Sequence, residues 1–137
     1  MGSVLGLDYG TRRIGIAGSD PTRLIASALG CHREPEDGSV LARLRDLIRE
    51  RDVDTVVVGL PLTADGRRGP IAERAERFAA RLREEFGLPV VLVDERYSSQ
   101  EADRWLAGRR RPKGERDAAA AALILQQFLD GAAGGGA

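Results

Sequence analysis

The sequence is poor in residues that bind zinc or form disulfide bonds. It contains a single cysteine, Cys31, and a single histidine, His32, which are adjacent in the chain. One cysteine cannot form an intrachain disulfide, and one cysteine beside one histidine does not make a zinc cluster. We therefore interpret both residues as structural.

Two further absences concern net charge and long apolar runs. The 21 basic residues balance the 21 acidic ones, whereas nucleic-acid-binding domains usually carry a basic excess. No stretch of the sequence approaches the roughly 18 apolar residues of a membrane span. Its start also lacks the basic and apolar segments of a secretion signal. We therefore expect a cytoplasmic protein with no membrane partner.

The residues that are present have the composition of a globular domain. Of the 137 residues, 42% are hydrophobic and 31% are charged, values that are ordinary for globular proteins. A chain of this length can bury a core without disulfides or metals. We expect one domain over 1–130, followed by a disordered Gly/Ala tail over 131–137.

Hydrophobic periodicity predicts the element order β-β-β-α-β-α-β-α-α. The predicted strands are Val4–Tyr9, Ile14–Ser19, Ala26–His32, Thr55–Gly59 and Pro89–Val93. The predicted helices run from Ser39 to Arg51, from Pro70 to near Gly87, from Ser98 or Ser99 to Leu106, and from Asp117 to Leu129. A hairpin followed by βαβ units predicts an α/β fold, with a mixed five-stranded sheet and helices on both faces.

Three acidic residues occupy places where such a fold puts its functional crevice. Asp8 ends the first strand, Glu95 follows the last one, and Asp117 opens the final helix. The crevice of an open α/β sheet lies beyond the carboxyl ends of its parallel strands. Carboxylates that meet there repel one another unless cations bind them, and oxygen ligands select Mg²⁺ or Mn²⁺. Their spacing in the sequence does not by itself show that the three converge.

Each of these acids also has an ordinary structural explanation. Asp8 could close an Asx-turn at the end of its strand. Glu95 could pair at the surface with Arg96 or Arg104. Asp117 stands at a helix start, where a negative charge is favourable in any protein. The combination of the three favours a metal site over these separate explanations.

Five segments, in order along nearly the whole chain, resemble the YqgF family, also called RuvX and named for pre-16S rRNA nucleases. These segments are Leu7–Gly15, Gly59–Gly66, Gly69–Leu82, Asp94–Ala102 and Asp117–Gln126. The sequence departs from the family pattern at Ser98-Ser99, where threonines are commoner, and at Thr63-Ala64, where an Asn-containing pair is usual. These departures leave the carboxylates intact but affect a loop that could contact substrate.

The resemblance implies a ribonuclease-H-like fold related to bacterial Holliday-junction resolvases. It also implies that Asp8, Glu95 and Asp117 are the catalytic, metal-binding acids, with Mg²⁺ or Mn²⁺ as cofactor and two ions expected. The expected activity is metal-dependent hydrolysis of phosphodiesters, in 5′-end processing of pre-16S rRNA. The alternatives are a resolvase of four-way DNA junctions, which would act as a homodimer, and a catalytically silent nucleic-acid-binding module.

Basic residues are concentrated next to the predicted metal site. From Arg96 to Arg116 there are seven basic and three acidic residues, a local charge of +4 in a neutral chain. Such a segment beside an acidic site suits a phosphodiester substrate, although it could also be a solvated loop. The predicted nucleic-acid-binding residues are Arg13, Arg96, Arg110, Arg111 and Lys113. Arg13, like Arg12, could instead pair with the acids when no metal is bound.

Overall fold

The computed structural model describes residues 2–10, 12–33, 38–60, 69–94 and 113–135. Its strands are β1 (Ser3–Tyr9), β2 (Arg13–Ser19), β3 (Ala26–Arg33), β4 (Val53–Leu60) and β5 (Val90–Asp94). Its helices are α1 (Ser39–Glu50), α2 (Pro70–Phe86) and α3 (Lys113–Gly135). The short helix predicted from Ser98 or Ser99 to Leu106 lies outside the described residues. Within those ranges, no helix is both long and apolar enough to cross a membrane.

β1 occupies the centre of a five-stranded sheet with the order β3-β2-β1-β4-β5. It pairs antiparallel with β2 and parallel with β4, which in turn pairs parallel with β5. The carboxyl ends of β1, β4 and β5 therefore lie at the same edge of the sheet. At that edge Asp8 is level with Gly59, and Leu60 is level with Asp94. The predicted mixed sheet is confirmed.

α1 and α2 cover one face of this sheet and enclose the larger core cluster. The strands contribute buried residues that include Leu5, Leu7, Ile14 and Ile16. α2 starts at Pro70, whose missing N–H is unneeded in a first turn, and stops at Gly87. Gly87 adopts a left-handed conformation, and its N–H donates to the Arg83 carbonyl at 2.9 Å. The sequence therefore predicted both ends of this helix correctly.

α3 covers the opposite face of the sheet and encloses the second cluster. Val4, Ala17 and Val57 come from the strands. The helix contributes Ala121, Ile124, Leu125 and Leu129. With α1 and α2 on one face and α3 on the other, the predicted placement of helices on both faces is confirmed.

α3 is longer than the sequence predicted at both ends. It begins at Lys113 instead of Asp117, and it continues to Gly135 instead of ending near Leu129. Helix propensity does not explain these extensions, since Lys113–Arg116 contains no alanine and three of the five residues in 131–135 are glycine. Asp117 lies about one turn inside the helix and does not open it. The segment predicted as a disordered tail, 131–137, begins inside the same helix.

Glycines on β1 and β2 allow α3 to lie unusually close to the sheet. A Cβ atom added to Gly6 would stand 2.7 Å from the Cβ of Leu125. One added to Gly15 would stand 1.9 Å from the carbonyl oxygen of Asp117 and 3.1 Å from the nitrogen of Ala118. Side chains at these places would push the helix away, so the absence of Cβ sets its distance from the sheet.

A carboxylate holds the connection between β2 and β3 at the other end of the sheet. Asp20 accepts hydrogen bonds from the N–H groups of Leu24 at 2.9 Å and Ile25 at 2.8 Å. It also accepts from the N–H and the hydroxyl of Thr22. The Thr22 hydroxyl first, and then these backbone N–H groups, lower the pKa of Asp20 from 3.8 to about 2.

Gly15→Ala should destabilise the fold by about 2 kcal/mol or more, because the new methyl group meets helix backbone that cannot rotate away. Gly131→Ala is the matched control, since an added Cβ there has nothing within 4 Å. The control should stabilise α3 by roughly 0.5–1 kcal/mol through helix propensity. Urea unfolding of both variants measures the difference. Equal stability of Gly15→Ala and wild type would contradict the close approach.

Asp20→Asn should lower the urea midpoint of unfolding near pH 7. The pKa of Asp20 is lower in the folded state than its usual 3.8, so its ionised form favours folding above about pH 4. That contribution disappears as the pH falls toward 2, so wild type and variant should converge there. Asp46→Asn, an exposed change on α1, should leave the midpoint nearly unchanged. A gap between wild type and Asp20→Asn that stays constant at all pH values would show that the charge is not responsible.

Candidate active site

Asp8 lies at the carboxyl end of the central strand and on the α3 face of the sheet. Val4 packs in the α3 cluster, and side chains alternate along a strand, so Gly6 and Asp8 share its face. The next residue, Tyr9, packs on the other face, where its ring centroid lies 5.2 Å from that of Phe78. This packing holds the end of β1 in register and directs the half-buried Asp8 toward α3.

The positions that flank Asp8 in the sheet are both glycines. Gly15 on β2 and Gly59 on β4 are its register partners. Residues directly opposite one another present side chains to the same face. Gly15 has no side chain, so the backbone of α3 at Asp117 takes up the space beside Asp8 on the β2 side.

Asp117 reaches this place because α3 passes directly over Gly15. The backbone of Asp117 occupies the position that a Cβ of Gly15 would need, and Gly15 pairs with Asp8. Neighbouring strands are about 4.8 Å apart. The first part of α3 therefore lies roughly one strand spacing to the side of Asp8, which places Asp8 and Asp117 at the same edge of the sheet.

Arg13, the first residue of β2, forms an ion pair with Asp117. Its Nε donates to Oδ2 at 2.8 Å, and the two side chains are 26% and 30% exposed. Of the two roles predicted for Arg13, pairing with an acid is the one seen here. Arg12 is exposed in the hairpin turn beside it.

The other predicted site residues are not described by the structure, or only in part. Glu95, Arg96, Arg110 and Arg111 lie outside the described ranges. Lys113 is the first residue of α3, and only its backbone position is described. In the described part of the chain, no group of three His, Cys, Asp or Glu residues could hold a metal ion. The convergence of Glu95 with the other two acids stays a prediction.

The donors placed at this edge are carboxylate oxygens, and these are ligands for hard cations such as Mg²⁺ and Mn²⁺. Arg13 supplies one positive charge on the Asp117 side. The arrangement is thus chemically suited to bind a divalent cation at this edge.

Sequence reasoning missed the two glycines that shape the site. Gly15 and Gly59 stand within or at the end of apolar strands, where glycine weakens a strand and often marks a close approach of other backbone. That signal was available, but it does not say which element approaches. Only the packing of α3 identifies Gly15 as the residue that brings Asp117 near Asp8.

Comparison with known proteins agrees with this fold. The family model described as "RuvX: Holliday junction resolvase" matches residues 2–131. A relative from Geobacillus kaustophilus, named "Putative pre-16S rRNA nuclease", is 49% identical over 92% of this chain and 96% of its own length. A relative of the same name from Synechocystis is 42% identical over 93% of this chain and 87% of its own length.

Solved structures show the same fold at low sequence identity. Thermus thermophilus RuvC matches with a TM-score of 0.58 and 17% identity, over 96% of each chain. Its complex with a Holliday junction substrate matches with a TM-score of 0.56 and 19% identity, over 90% of this chain and 92% of that one. These likenesses confirm the predicted ribonuclease-H-like fold. With the family model spanning almost the whole sequence, the chain belongs to the RuvX, or YqgF, family of nucleases.

Proposed function

We propose that this protein is a divalent-metal-dependent endonuclease that acts in 5′-end processing of pre-16S rRNA. The observation that carries the proposal is the placement of Asp117 over Gly15, the register partner of Asp8, at the carboxyl edge of the sheet. The name of the relatives, pre-16S rRNA nuclease, supports the choice of substrate. A cytoplasmic location is proposed with it, since that is where bacterial rRNA is processed.

We assign Asp8, Glu95 and Asp117 as the metal ligands. Val93 of β5 packs in the α3 cluster, and two-residue alternation would put position 95 on that same face if the strand direction continues. Three carboxylates fit Mg²⁺ or Mn²⁺, and we propose two ions. When bound, such ions activate water for attack on a phosphodiester and stabilise the leaving 3′-oxygen.

The protein's own groups bind and orient the substrate in this proposal. The half-buried Asp8 lies at the carboxyl edge of the sheet, and in this proposal the phosphate approaches the carboxylates from beyond that edge. Cationic side chains beside the acids offset the repulsion between the negative carboxylates and the negative phosphates of the nucleic acid. The proposed phosphate contacts are Arg13, Arg96, Arg110, Arg111 and Lys113.

A second candidate function is cleavage of four-way DNA junctions. It is favoured by the description of the matching family model as a Holliday junction resolvase. Symmetric cutting of a junction needs two active sites related by a twofold axis. This candidate therefore requires a homodimer, which RNA trimming does not.

Asp8→Asn should abolish cleavage by removing a ligand charge while keeping the shape of the side chain. We expect a loss of at least about 100-fold, since even residues that only support metal ligands cost 10- to 100-fold. The measurement uses two labelled substrates in Mg²⁺ and in Mn²⁺. One is an RNA with the 5′ leader junction of 16S rRNA, and the other is a synthetic four-way DNA junction.

Asp46→Asn on α1 is the control, because it makes the same chemical change on the other face of the sheet. Cleavage of the RNA alone, lost in Asp8→Asn but kept in Asp46→Asn, would support the ribosomal role. Paired nicks in the junction alone would support the resolvase. If neither substrate is cut, or if Asp8→Asn cuts as well as wild type, the proposed metal site is wrong and a silent binding module is the better explanation.

A further inference from the structure

We propose that Arg13 is a positioning residue that occupies Asp117 until a divalent cation binds, and that it then turns to a substrate phosphate. This inference rests on the proposed function and extends it. Arg13 would thus have both of its predicted roles in succession: it pairs with an acid before metal binds and contacts phosphate afterwards. The result is a coupling between metal binding and nucleic-acid binding.

The first observation is the form of the ion pair. Arg13 uses Nε on a single oxygen, Oδ2 of Asp117, and does not form a two-pronged contact in the described structure. Both side chains are partly exposed. A pair of this kind is weak and open to exchange, since water and other cations reach it easily. It is therefore a contact that a divalent cation can replace.

The second observation explains why Arg13 lies toward α3 when no metal is present. Its register partner is Arg33 on the edge strand β3, so two positive charges stand directly opposite on the same face of the sheet. Like charges in this position repel each other. Arg33 is exposed, and within the described ranges it has no ion pair. The repulsion favours a contact between Arg13 and the negative charge of Asp117.

In this proposal, Arg13 and a divalent cation bind the same carboxylate, that of Asp117. The acids at this edge need positive charge beside them, and Arg13 supplies it in the absence of metal. A divalent cation held by Asp8 and Asp117 supplies more charge to the same carboxylate and repels the guanidinium. Arg13 thus competes with the metal. Once displaced, it carries a planar set of N–H donors suited to phosphate oxygens.

The first test measures Mn²⁺ binding to the full-length, metal-free protein by calorimetry. Arg13→Gln should bind Mn²⁺ at least about fivefold more tightly than wild type, because a competitor for Asp117 is gone. Arg13→Lys, which keeps the charge, should lie between the two. Arg49→Gln removes an equal charge from an exposed position in the last turn of α1 and should bind Mn²⁺ like wild type.

The second test measures coupling, which a purely structural role for Arg13 would not change. Anisotropy of the labelled leader RNA, read by stopped flow before cleavage, gives its affinity with and without Mn²⁺. Addition of Mn²⁺ should strengthen RNA binding by wild type and by Arg49→Gln. The gain should be at least about fivefold smaller for Arg13→Gln, because no guanidinium is released to the phosphate.

Three outcomes would overturn the inference. Weaker Mn²⁺ binding by Arg13→Gln would show that Arg13 orients Asp117 as a ligand. Unchanged Mn²⁺ binding would show that the ion pair plays no part in metal binding. An unchanged coupling would show that the released side chain does not reach phosphate. If wild type itself neither binds Mn²⁺ nor cleaves RNA, the proposed function fails instead.

Discussion

The approach of α3 to the sheet is the constraint on which the active end of the molecule depends. A helix that packs on ordinary side chains stands well clear of the strands, and its acids would then be too far from those of the sheet to share a cation. Here the carbonyl of Asp117 fills the place of a missing Cβ on Gly15. Gly15 is also the register partner of Asp8. The absence of a side chain at Gly15 therefore allows Asp117 to lie near Asp8.

Close packing creates an electrostatic cost that the same elements offset. Two carboxylates at the edge of a half-buried site destabilise each other, and the cost grows as solvent is excluded. Arg13 lies on β2 within the same strand pair as Asp8 and reaches Asp117. The fold can thus form before metal binds, with one guanidinium as the counter-ion. Partial exposure keeps that contact weak enough to be replaced.

Local sequence patterns predicted most strands and helices, because these elements depend on short-range hydrophobic periodicity and on capping residues. Pro70 and Gly87 marked both ends of α2, and the apolar run of β4 marked a buried strand. The bounds of α3 were predicted less well, since the glycines from Gly131 onward are typical of a helix end but the helix continues through them to Gly135. For the site, the sequence identified three acidic residues but did not show whether they lie close together. Which of them meet is decided by helix packing over Gly15, a contact between residues more than 100 positions apart in the chain.

The neutral net charge of the chain also has a physical explanation once the site is considered locally. The acids that would hold a metal and the basic residues that would contact phosphate enter the total with opposite signs, and the total hides a local charge of +4 between Arg96 and Arg116. The total of zero therefore says little about nucleic-acid binding. In the proposal made here, each sign can be neutralised by a second partner: Asp117, which pairs with Arg13, by metal, and Arg13 by phosphate. A site that works as proposed would gain affinity for nucleic acid on binding metal, because metal binding would add positive charge and free a guanidinium in the same step.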